Sequence, residues 1–445
     1  MGQRRGGALP GPALRRLEAV GHRQGAGPRR RHLEPHPFQG HQHRHHARCR
    51  IRVTGEGSGS DAGPDSGGVA DPAPRREVVG QYAGALLFSL SLGVTVVAYP
   101  LFVIDQGRSQ TVAGLLVGFS AAVQVLTRSR LGSVMRVLSN SDVISAAALL
   151  MGLSVGLLVF ESGLVALVVS AAVQGVARAC FWTGNQVQIV RSPRSTPRAI
   201  ATLNMVATIG MLIGPAAGGI IAQSSYRAAF AVASVVGLAG IAPTLVLSRP
   251  PPFARVGGHS YWHLLRNRGV RVGMWASVAV GAWRGLLGSY VPIGLDAAGS
   301  SETAIGVVVA VANGAAAVSG YLAVDTEGSR VAPGVARWGA VTLVATALVG
   351  FELPVALITA ALVAGGAAIG LLQVLAITAV SEAVRPELQG DAVTIAGVAR
   401  GVTLSGAPLG VAALLVIGLG PAVLAAAVAL IGPAALFCRP RFNRE

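Results

Sequence analysis

Long apolar stretches alternate with short polar segments along most of this chain. From residue 79 onward, runs of about 18 to 25 mostly apolar residues recur, which is the length that a helix needs to cross a bilayer core. The pattern predicts twelve membrane-spanning helices, at 81–103, 110–127, 142–160, 163–187, 200–222, 227–247, 270–293, 303–323, 334–350, 354–380, 392–417 and 419–437. The chain is therefore expected to be an all-α membrane protein.

Composition supports a membrane protein, and the charge distribution orients it. Hydrophobic residues make up 52% of the 445 residues and charged residues only 12%, about half the charged fraction of a soluble domain. All 36 basic residues are arginine. With both termini in the cytoplasm, 17 of the 22 arginines after residue 78 lie in cytoplasmic segments, and Arg108 and Arg227 lie outside. Membrane insertion produces this bias, so the basic balance predicts a multi-pass plasma-membrane protein and no nucleic-acid partner.

Residues 1–78 differ in composition from the rest. They are rich in Arg, Gly, Pro and His and lack the apolar residues that bury a core, so a disordered tail is expected. No apolar run follows the basic start, which argues against a secretory signal peptide. His41, His43, His45 and His46 form a cluster that suggests metal sensing as an alternative. We favour a non-native or over-extended N-terminus, with no metal site and no cofactor.

Short motifs repeat between the two parts of the membrane region. The pattern Phe-Glu, Val-Ala-Leu and Gly at 160–175 recurs at 351–365, and Pro215 recurs 193 residues later as Pro408. These matches relate helix 4 to helix 10 and helix 5 to helix 11. They predict two six-helix halves related by an axis along the membrane normal.

The break between the halves is a proline- and glycine-rich segment. Such a composition marks a loop, here a cytoplasmic linker. The predicted domains are the tail at 1–78, a first bundle at 79–248, the linker at 249–269, a second bundle at 270–438 and a cytoplasmic tail at 439–445.

The fifth predicted helix carries the glycine-rich sequence GMLIGPAAGG. Gly210, Gly214 and Gly218 line one face of the helix at four-residue spacing, with Gly219 alongside. Glycines at this spacing let another backbone approach closely. Pro215 adds a kink of a kind that membrane helices tolerate. An ordinary small-residue packing face is the alternative interpretation.

This sequence resembles the antiporter signature G-x-x-x-G-P-x-x-G-G on the fifth helix of exporters of the major facilitator superfamily. The resemblance covers about 79–438 of this chain. It implies two pseudo-symmetric six-helix bundles around a central cavity, and a secondary transporter.

The same family carries the loop motif G-x-L-x-D-R-x-G-R-R after helix 2, where this chain reads VLTRSRLGSV. Arg130 and Gly132 match the motif, whereas Ser129 replaces its acid. In the second half, Asp325 and Gly328 match. In the family this loop latches neighbouring helices through charge pairs, so the resemblance implies a conformational role for these residues. Positive-inside sorting is the alternative for Arg130.

Arginines inside predicted spans are the strongest site candidates, because a charge at the bilayer centre costs at least about 2.5–3.5 kcal/mol. In helix 4, Gln174 and Trp182 lie one turn to either side of Arg178, and in helix 7 Arg284 follows Trp283. A guanidinium suits carboxylates and phosphates, and neighbouring aromatic rings can stack on it. We therefore predict a cationic centre for an anionic or strongly polar substrate.

Several other polar residues in the spans leave alternatives open. Asn313 is a further candidate for contacting substrate, although such residues also serve as hydrogen bonds between helices. Arg400, nearer an interface, favours snorkelling or pairing within the bundle. No acid lies in the middle of a predicted span, so Asp105 at the outer end of helix 1 is the candidate for proton coupling, which stays open.

The family resemblance implies a carrier that moves a small molecule by alternating access, in the direction of efflux. We expect no enzymatic activity, because the chain has no phosphate loop and no nucleophile elbow. One alternative is a non-transporting membrane sensor or scaffold on a transporter fold. Another is a facilitative or uptake carrier for an anionic substrate.

The topology predicts that the linker at 249–269 faces the cytoplasm. A single cysteine replacing Ser260 should react with an impermeant maleimide in inverted membrane vesicles and resist it in intact cells. A cysteine replacing Ser162, in a predicted outer loop, should behave in the opposite way. Labelling of the linker from outside the cell would exclude this topology.

Overall fold

The computed structural model describes residues 75–135, 137–191, 197–249, 261–323, 331–349, 353–385 and 388–417. All of these residues belong to one compact unit, Val69–Glu445. They form helices joined by turns and short loops, and none of the described residues lies in a strand.

Within the described residues, the helices correspond to six spans in the first half and five in the second, counting α6 with α7 and α8 with α9 as one span each. The helices are α1 (Arg75–Asp105), α2 (Gln110–Val134), α3 (Asn140–Phe160), α4 (Leu164–Arg191), α5 (Pro197–Ser224), α6 (Tyr226–Ala239), α7 (Ile241–Thr244), α8 (Arg268–Leu287), α9 (Tyr290–Ala297), α10 (Glu302–Leu322), α11 (Val331–Val349), α12 (Val355–Glu382) and α13 (Gln389–Val416). Among the described residues, nine helices are long and apolar enough to cross a membrane. A 3₁₀ helix at Tyr261–Arg266 precedes α8.

Eleven of the twelve predicted spans correspond to helices, and the twelfth, 419–437, lies outside the described residues. Two of the eleven are broken, because 227–247 divides into α6 and α7 at Gly240 and 270–293 divides into α8 and α9 after Leu287. α1 begins at Arg75, so the predicted end of the tail at residue 78 falls inside its first turn.

Identical turns begin the second span of each half. After α1, Gly107 has φ of 72° and Ser109 caps α2; after α9, Gly299 has φ of 79° and Ser301 caps α10. Glycine fits these positions because a positive φ strains other residues. The two turns are 192 residues apart, which supports the internal repeat inferred from the sequence.

Each half has its own hydrophobic core. In the first half Phe88 stacks on Phe181 with ring centroids 3.8 Å apart, and in the second half Trp283 is a central buried residue. Val97 and Leu101 of α1 pack in the second core, so α1 also ties the halves together. The predicted fold class, an all-α membrane protein of two pseudo-symmetric helix bundles, is confirmed.

The glycines of α5 pack directly against the backbone of α1. A Cβ atom at Gly210 or at Gly218 would lie 2.8 Å from a carbonyl oxygen of α1. One at Gly214 would lie 2.7 Å from the Cα atom of Gly93, whose own Cβ would lie 2.9 Å from Cδ of Pro215. A side chain at these positions would therefore force the two helices apart.

The second half repeats this packing between α8 and α13. A Cβ atom at Gly285 would lie 3.0 Å from Cδ of Pro408, which matches the contact between Gly93 and Pro215 in the first half. The matched glycines are 192 residues apart and the matched prolines 193 apart. The repeated Pro215 and Pro408 therefore occupy equivalent places in the two bundles.

Gly219 makes the contact of α5 with the other half of the molecule. A Cβ atom at Gly219 would overlap the carbonyl oxygen of Glu302. The same atom would lie 3.0 Å from the Cα atom of Gly306. The helix that carries the glycine motif thus packs closely on both α1 and α10.

The alanine variant Gly214→Ala should lower the free energy of unfolding by about 1–3 kcal/mol, because its Cβ must displace backbone atoms of α1. Thermal denaturation of the purified protein in detergent measures the change. Gly410→Ala in α13, where no atom lies within 4 Å of the added Cβ, should be neutral or slightly stabilising because alanine favours helix. Equal melting temperatures for the two variants would contradict the packing argument.

Candidate functional site

Arg178 lies in α4 with its Nε atom buried. No hydrogen-bond partner for that atom is found in the described part of the chain. One turn earlier, Nε2 of Gln174 donates to Oγ of Ser170 at 3.0 Å, within the same helix. Between them, Gly175 lets α4 pack against α2, because a Cβ atom there would overlap the carbonyl oxygen of Ser120. The close contact holds Arg178 beside α2.

A polar stripe runs along the facing part of α2. Ser120, Gln124 and Arg128 are spaced by four residues, so they lie on one face of the helix. Each has a buried side-chain atom without a hydrogen-bond partner among the described residues, namely Ser120 Oγ, Gln124 Oε1 and Arg128 Nε. Ser120 and Gln124 are each only 5% exposed. Buried polar groups are nearly always paired, so this polar stripe is a candidate surface for binding a ligand.

Arg284 on α8 approaches from the second half. Its Nη2 atom donates to Oε1 of Gln373 on α12 at 2.9 Å. The side chain keeps accessible surface that water or a ligand can reach. Trp283, its neighbour in sequence, points instead into the second core, where it is 4% exposed and packs over Gly365.

Arg400 on α13 completes the arrangement. The carbonyl oxygen of Arg400 packs against Gly281 of α8. A Cβ atom added at the next residue, Gly401, would lie 3.2 Å from the side chain of Val125 on α2. α13 therefore lies between α8 and α2 at this level. The side chain of Arg400 is partly buried, and snorkelling remains the alternative interpretation for it.

Helix packing brings four arginines onto neighbouring helices. Arg178 lies on α4, which packs on α2, the helix of Arg128, and Arg400 lies on α13, which packs on both α2 and α8, the helix of Arg284. We call Arg128, Arg178, Arg284 and Arg400 the arginine cluster. The first half contributes two of them, on α2 and α4, and the second half contributes two, on α8 and α13.

Two of the predicted substrate contacts lie in other surroundings. The indole of Trp182 packs edge-on against Phe181, with centroids 5.6 Å apart. Nδ2 of Asn313 donates to the carbonyl oxygen of Val309 in its own helix at 3.0 Å. The structure thus records packing and intrahelical contacts for these two residues.

The predicted motif and coupling residues lie at the ends of helices. Arg130 and Gly132 are exposed near the end of α2, and a Cβ atom at Gly132 would meet nothing within 4 Å. Asp105 is exposed at the end of α1, where it accepts a hydrogen bond from Nε2 of Gln106 at 3.1 Å. Asp325 and Gly328 lie outside the described residues.

The two halves also meet through polar contacts at one end of the molecule. The hydroxyl of Tyr226, at the start of α6, donates to Oε1 of Glu302 on α10 at 3.2 Å. Oγ1 of Thr303 donates to Oε1 of Gln223, at the end of α5. Together with the contact between Gly219 and Gly306, they join the halves at the end predicted to face outside.

The opposite end of the first half contains a buried acid that sequence reasoning missed. Glu77, 7% exposed, accepts hydrogen bonds from Nε2 of Gln188 at 2.9 Å and from Oγ of Ser248 at 2.6 Å. It ties the start of α1 to the end of α4 and to the segment after α7. The four-residue spacing of Glu77 and the buried Gln81 could have revealed that α1 extends to this point.

Arg128 and Gln124 were missed for a different reason. Arg128 follows residue 127, where the second predicted span ends, whereas α2 continues through it to Val134. The signal available in the sequence was the regular spacing of Ser120, Gln124 and Arg128.

Comparison with known families gives one match that covers most of the chain. Residues 82–408 match the family model described as Major Facilitator Superfamily. None of the curated proteins matches the chain.

Solved structures of transporters share the fold. A mutant of the nucleoside transporter NupG is 12% identical, with a TM-score of 0.66, over 82% of this chain and 100% of that one. The human organic anion transporter MFSD10 (TETRAN) is 15% identical, with a TM-score of 0.61, over 83% of this chain and 100% of that one. A D-xylose-proton symporter is 16% identical, with a TM-score of 0.66, over 82% of this chain and 97% of that one.

Proposed function

The chain belongs to the Major Facilitator Superfamily, and on that premise we propose that it exports an anionic small molecule by alternating access. The observation that carries the proposal is the arginine cluster, to which each half contributes two residues. Transporters for nucleosides, sugars and organic anions share this fold, so the fold does not select a substrate. The charge of the site makes that selection.

Arg178 and Arg284 are the proposed substrate-binding centre, with Gln174 one turn from Arg178. Trp283 packs in the second core, and Trp182 and Asn313 make packing and intrahelical contacts. An arginine without a counter-charge is costly at the membrane interior. A carboxylate or phosphate offers the paired, charge-assisted hydrogen bonds that a guanidinium favours. A bound anion would therefore satisfy groups that the described protein residues leave unpaired, such as Arg178 Nε.

The proposed direction rests on two features. The glycine motif of α5 resembles the antiporter signature of exporters, and it forms the close contact with α1. The halves are joined at the end of α5 near Gln223, which the arginine distribution predicts to be the outer end. A site open toward the cytoplasm in this state would load substrate from inside the cell.

A non-transporting sensor or scaffold is the second candidate function. The observation that favours it is the exposed Gly132 at the end of α2, where no atom lies within 4 Å of an added Cβ. Ser129, in the same motif, stands at the acidic position. A weakened latch at that loop would be expected in a protein that no longer cycles. An uptake or facilitative carrier for an anion would share the site of the exporter and differ only in direction.

Transport by inverted membrane vesicles tests the function. We expect accumulation of at least one labelled anion from a panel of succinate, glycerol 3-phosphate and butyrate, with glucose and adenosine as uncharged comparisons. A folded protein that moves none of these compounds would favour the sensor or scaffold. Accumulation only by right-side-out vesicles would indicate uptake.

The same vesicles test coupling through Asp105. If this residue carries the coupling proton, Asp105→Asn should remove the effect of an imposed pH gradient and retain exchange of labelled for unlabelled substrate. An unchanged response to the gradient would remove Asp105 from the coupling mechanism.

The variant Arg178→Gln should abolish anion binding and leave membrane insertion intact, because glutamine keeps hydrogen-bonding capacity and removes the charge. Binding is measured as the anion-induced rise in melting temperature of the purified protein. The control is Arg271→Gln, at an exposed position in the first turn of α8, which should bind as the unsubstituted protein does. Normal binding by Arg178→Gln would support a purely structural role for this arginine.

A further inference from the structure

The arginine cluster contains more positive charge than a monovalent substrate can balance. We propose that Arg128 and Arg400 extend the centre at Arg178 and Arg284 into a site for a compact anion with two or more negative charges. This inference rests on the proposed transport function and adds the charge class of the substrate. The shared chemistry is that of a doubly charged oxyanion, supplied either by a phosphate ester or by a dicarboxylate.

Arg128 is the residue that changes the charge count. It lies on the same face of α2 as Ser120 and Gln124, and all three have buried side-chain atoms without partners in the described chain. Two of the helices that pack against α2 carry the other arginines nearby, α4 with Arg178 and α13 with Arg400. An arginine whose only role was to orient the protein in the membrane would extend into solvent at the membrane surface. The Nε atom of Arg128 is instead buried.

Arg400 connects this stripe with the second half. Its helix, α13, contacts α8 through Gly281 and α2 through Gly401. Arg400 therefore lies on a helix that packs on one side against α2, which carries Arg128, and on the other against α8, which carries Arg284. The cluster is continuous across the two bundles because Arg400 bridges them.

The arrangement selects by charge number. A monovalent anion that pairs with Arg178 and Arg284 leaves the repulsion of Arg128 and Arg400 in place. A dianion offers one charge to each pair, and attraction between opposite charges is stronger at buried groups than in water. The polar stripe adds a preference for a ligand hydroxyl, since the acceptor Gln124 Oε1 needs a donor.

Binding to the full-length purified protein in lipid nanodiscs tests the charge class. The probes are glycerol 3-phosphate and succinate as dianions, butyrate as a monoanion and glycerol as a neutral compound. Glycerol 3-phosphate carries nearly two charges at neutral pH. We expect both dianions, or the one that matches the site, to bind at least about tenfold more tightly than butyrate, and glycerol not to bind.

Substitution of the two added arginines separates this inference from the general anion site. Arg128→Gln and Arg400→Gln should each weaken dianion binding by at least about tenfold, and butyrate binding by less than about threefold. Arg128→Lys and Arg400→Lys keep the charge and should recover most of the loss. Arg271→Gln is the matched control and should change neither.

The melting temperature without ligand provides a readout that a structural role would move in the opposite direction. Removing one of several repelling charges should raise the melting temperature of the ligand-free Arg128→Gln protein above that of the unsubstituted protein. An arginine that stabilises the fold through backbone contacts would lower it when replaced.

Three results would overturn the proposal. Equal weakening of dianion and monoanion binding would leave the anion site and remove the charge selectivity. A lower melting temperature of ligand-free Arg128→Gln would give that residue a structural role. Transport of glucose or adenosine with no anion binding would retain a transporter and exclude the anionic site altogether. Tighter binding of glycerol 3-phosphate than of succinate, or the reverse, supports the proposal and identifies the source of the oxyanion.

Discussion

Backbone contacts between α5 and its neighbours α1 and α10 hold this structure together. In a bilayer, lipid tails are as apolar as the side chains, so helices associate through close packing and hydrogen bonds and not through a hydrophobic driving force. Gly210, Gly214 and Gly218 supply that packing toward α1, and Gly219 supplies it toward Gly306.

The two halves share a scaffold, and the chemistry is placed on that scaffold without symmetry. Gly175 packs on the carbonyl oxygen of Ser120, and Gly366 packs on that of Ala312 in the second half. The sequence repeat had aligned Gly175 with Gly365, so the structural equivalent is one residue further along. At an offset of 192 residues, the polar stripe Ser120, Gln124 and Arg128 corresponds to Ala312, Ala316 and Gly320. Packing positions are repeated, whereas the polar stripe of α2 has no counterpart in the second half.

The arginine cluster opposes the close packing around it. Each half brings two positive charges toward the other, so the charges resist approach of the bundles at the level of the site. At the site we propose, a bound anion would offset that repulsion. Repelling charges that lower the stability of the empty protein would then favour ligand binding, an exchange of stability for function.

Properties that depend on neighbouring residues in the chain could be read from the sequence. Hydrophobic length determined the spans because a helix satisfies its own backbone hydrogen bonds within the membrane. The glycine spacing on α5 identified a close-packed face, and the cost of a charge in the membrane identified Arg178 and Arg284 as site candidates. These inferences needed no knowledge of which helices are neighbours.

Properties that depend on neighbouring helices were decided only by the tertiary structure. Arg128 and Arg400 interact because α13 lies against both α2 and α8, and no local pattern in the sequence encodes that arrangement. The side chain of Trp283 likewise points into the second core, where it packs over Gly365. Only the packing of the helices shows that it does not lie beside Arg284. The sequence determined where charge and small residues lie along each helix, whereas helix packing determined which of those charges act together, because repulsion depends on distance in space.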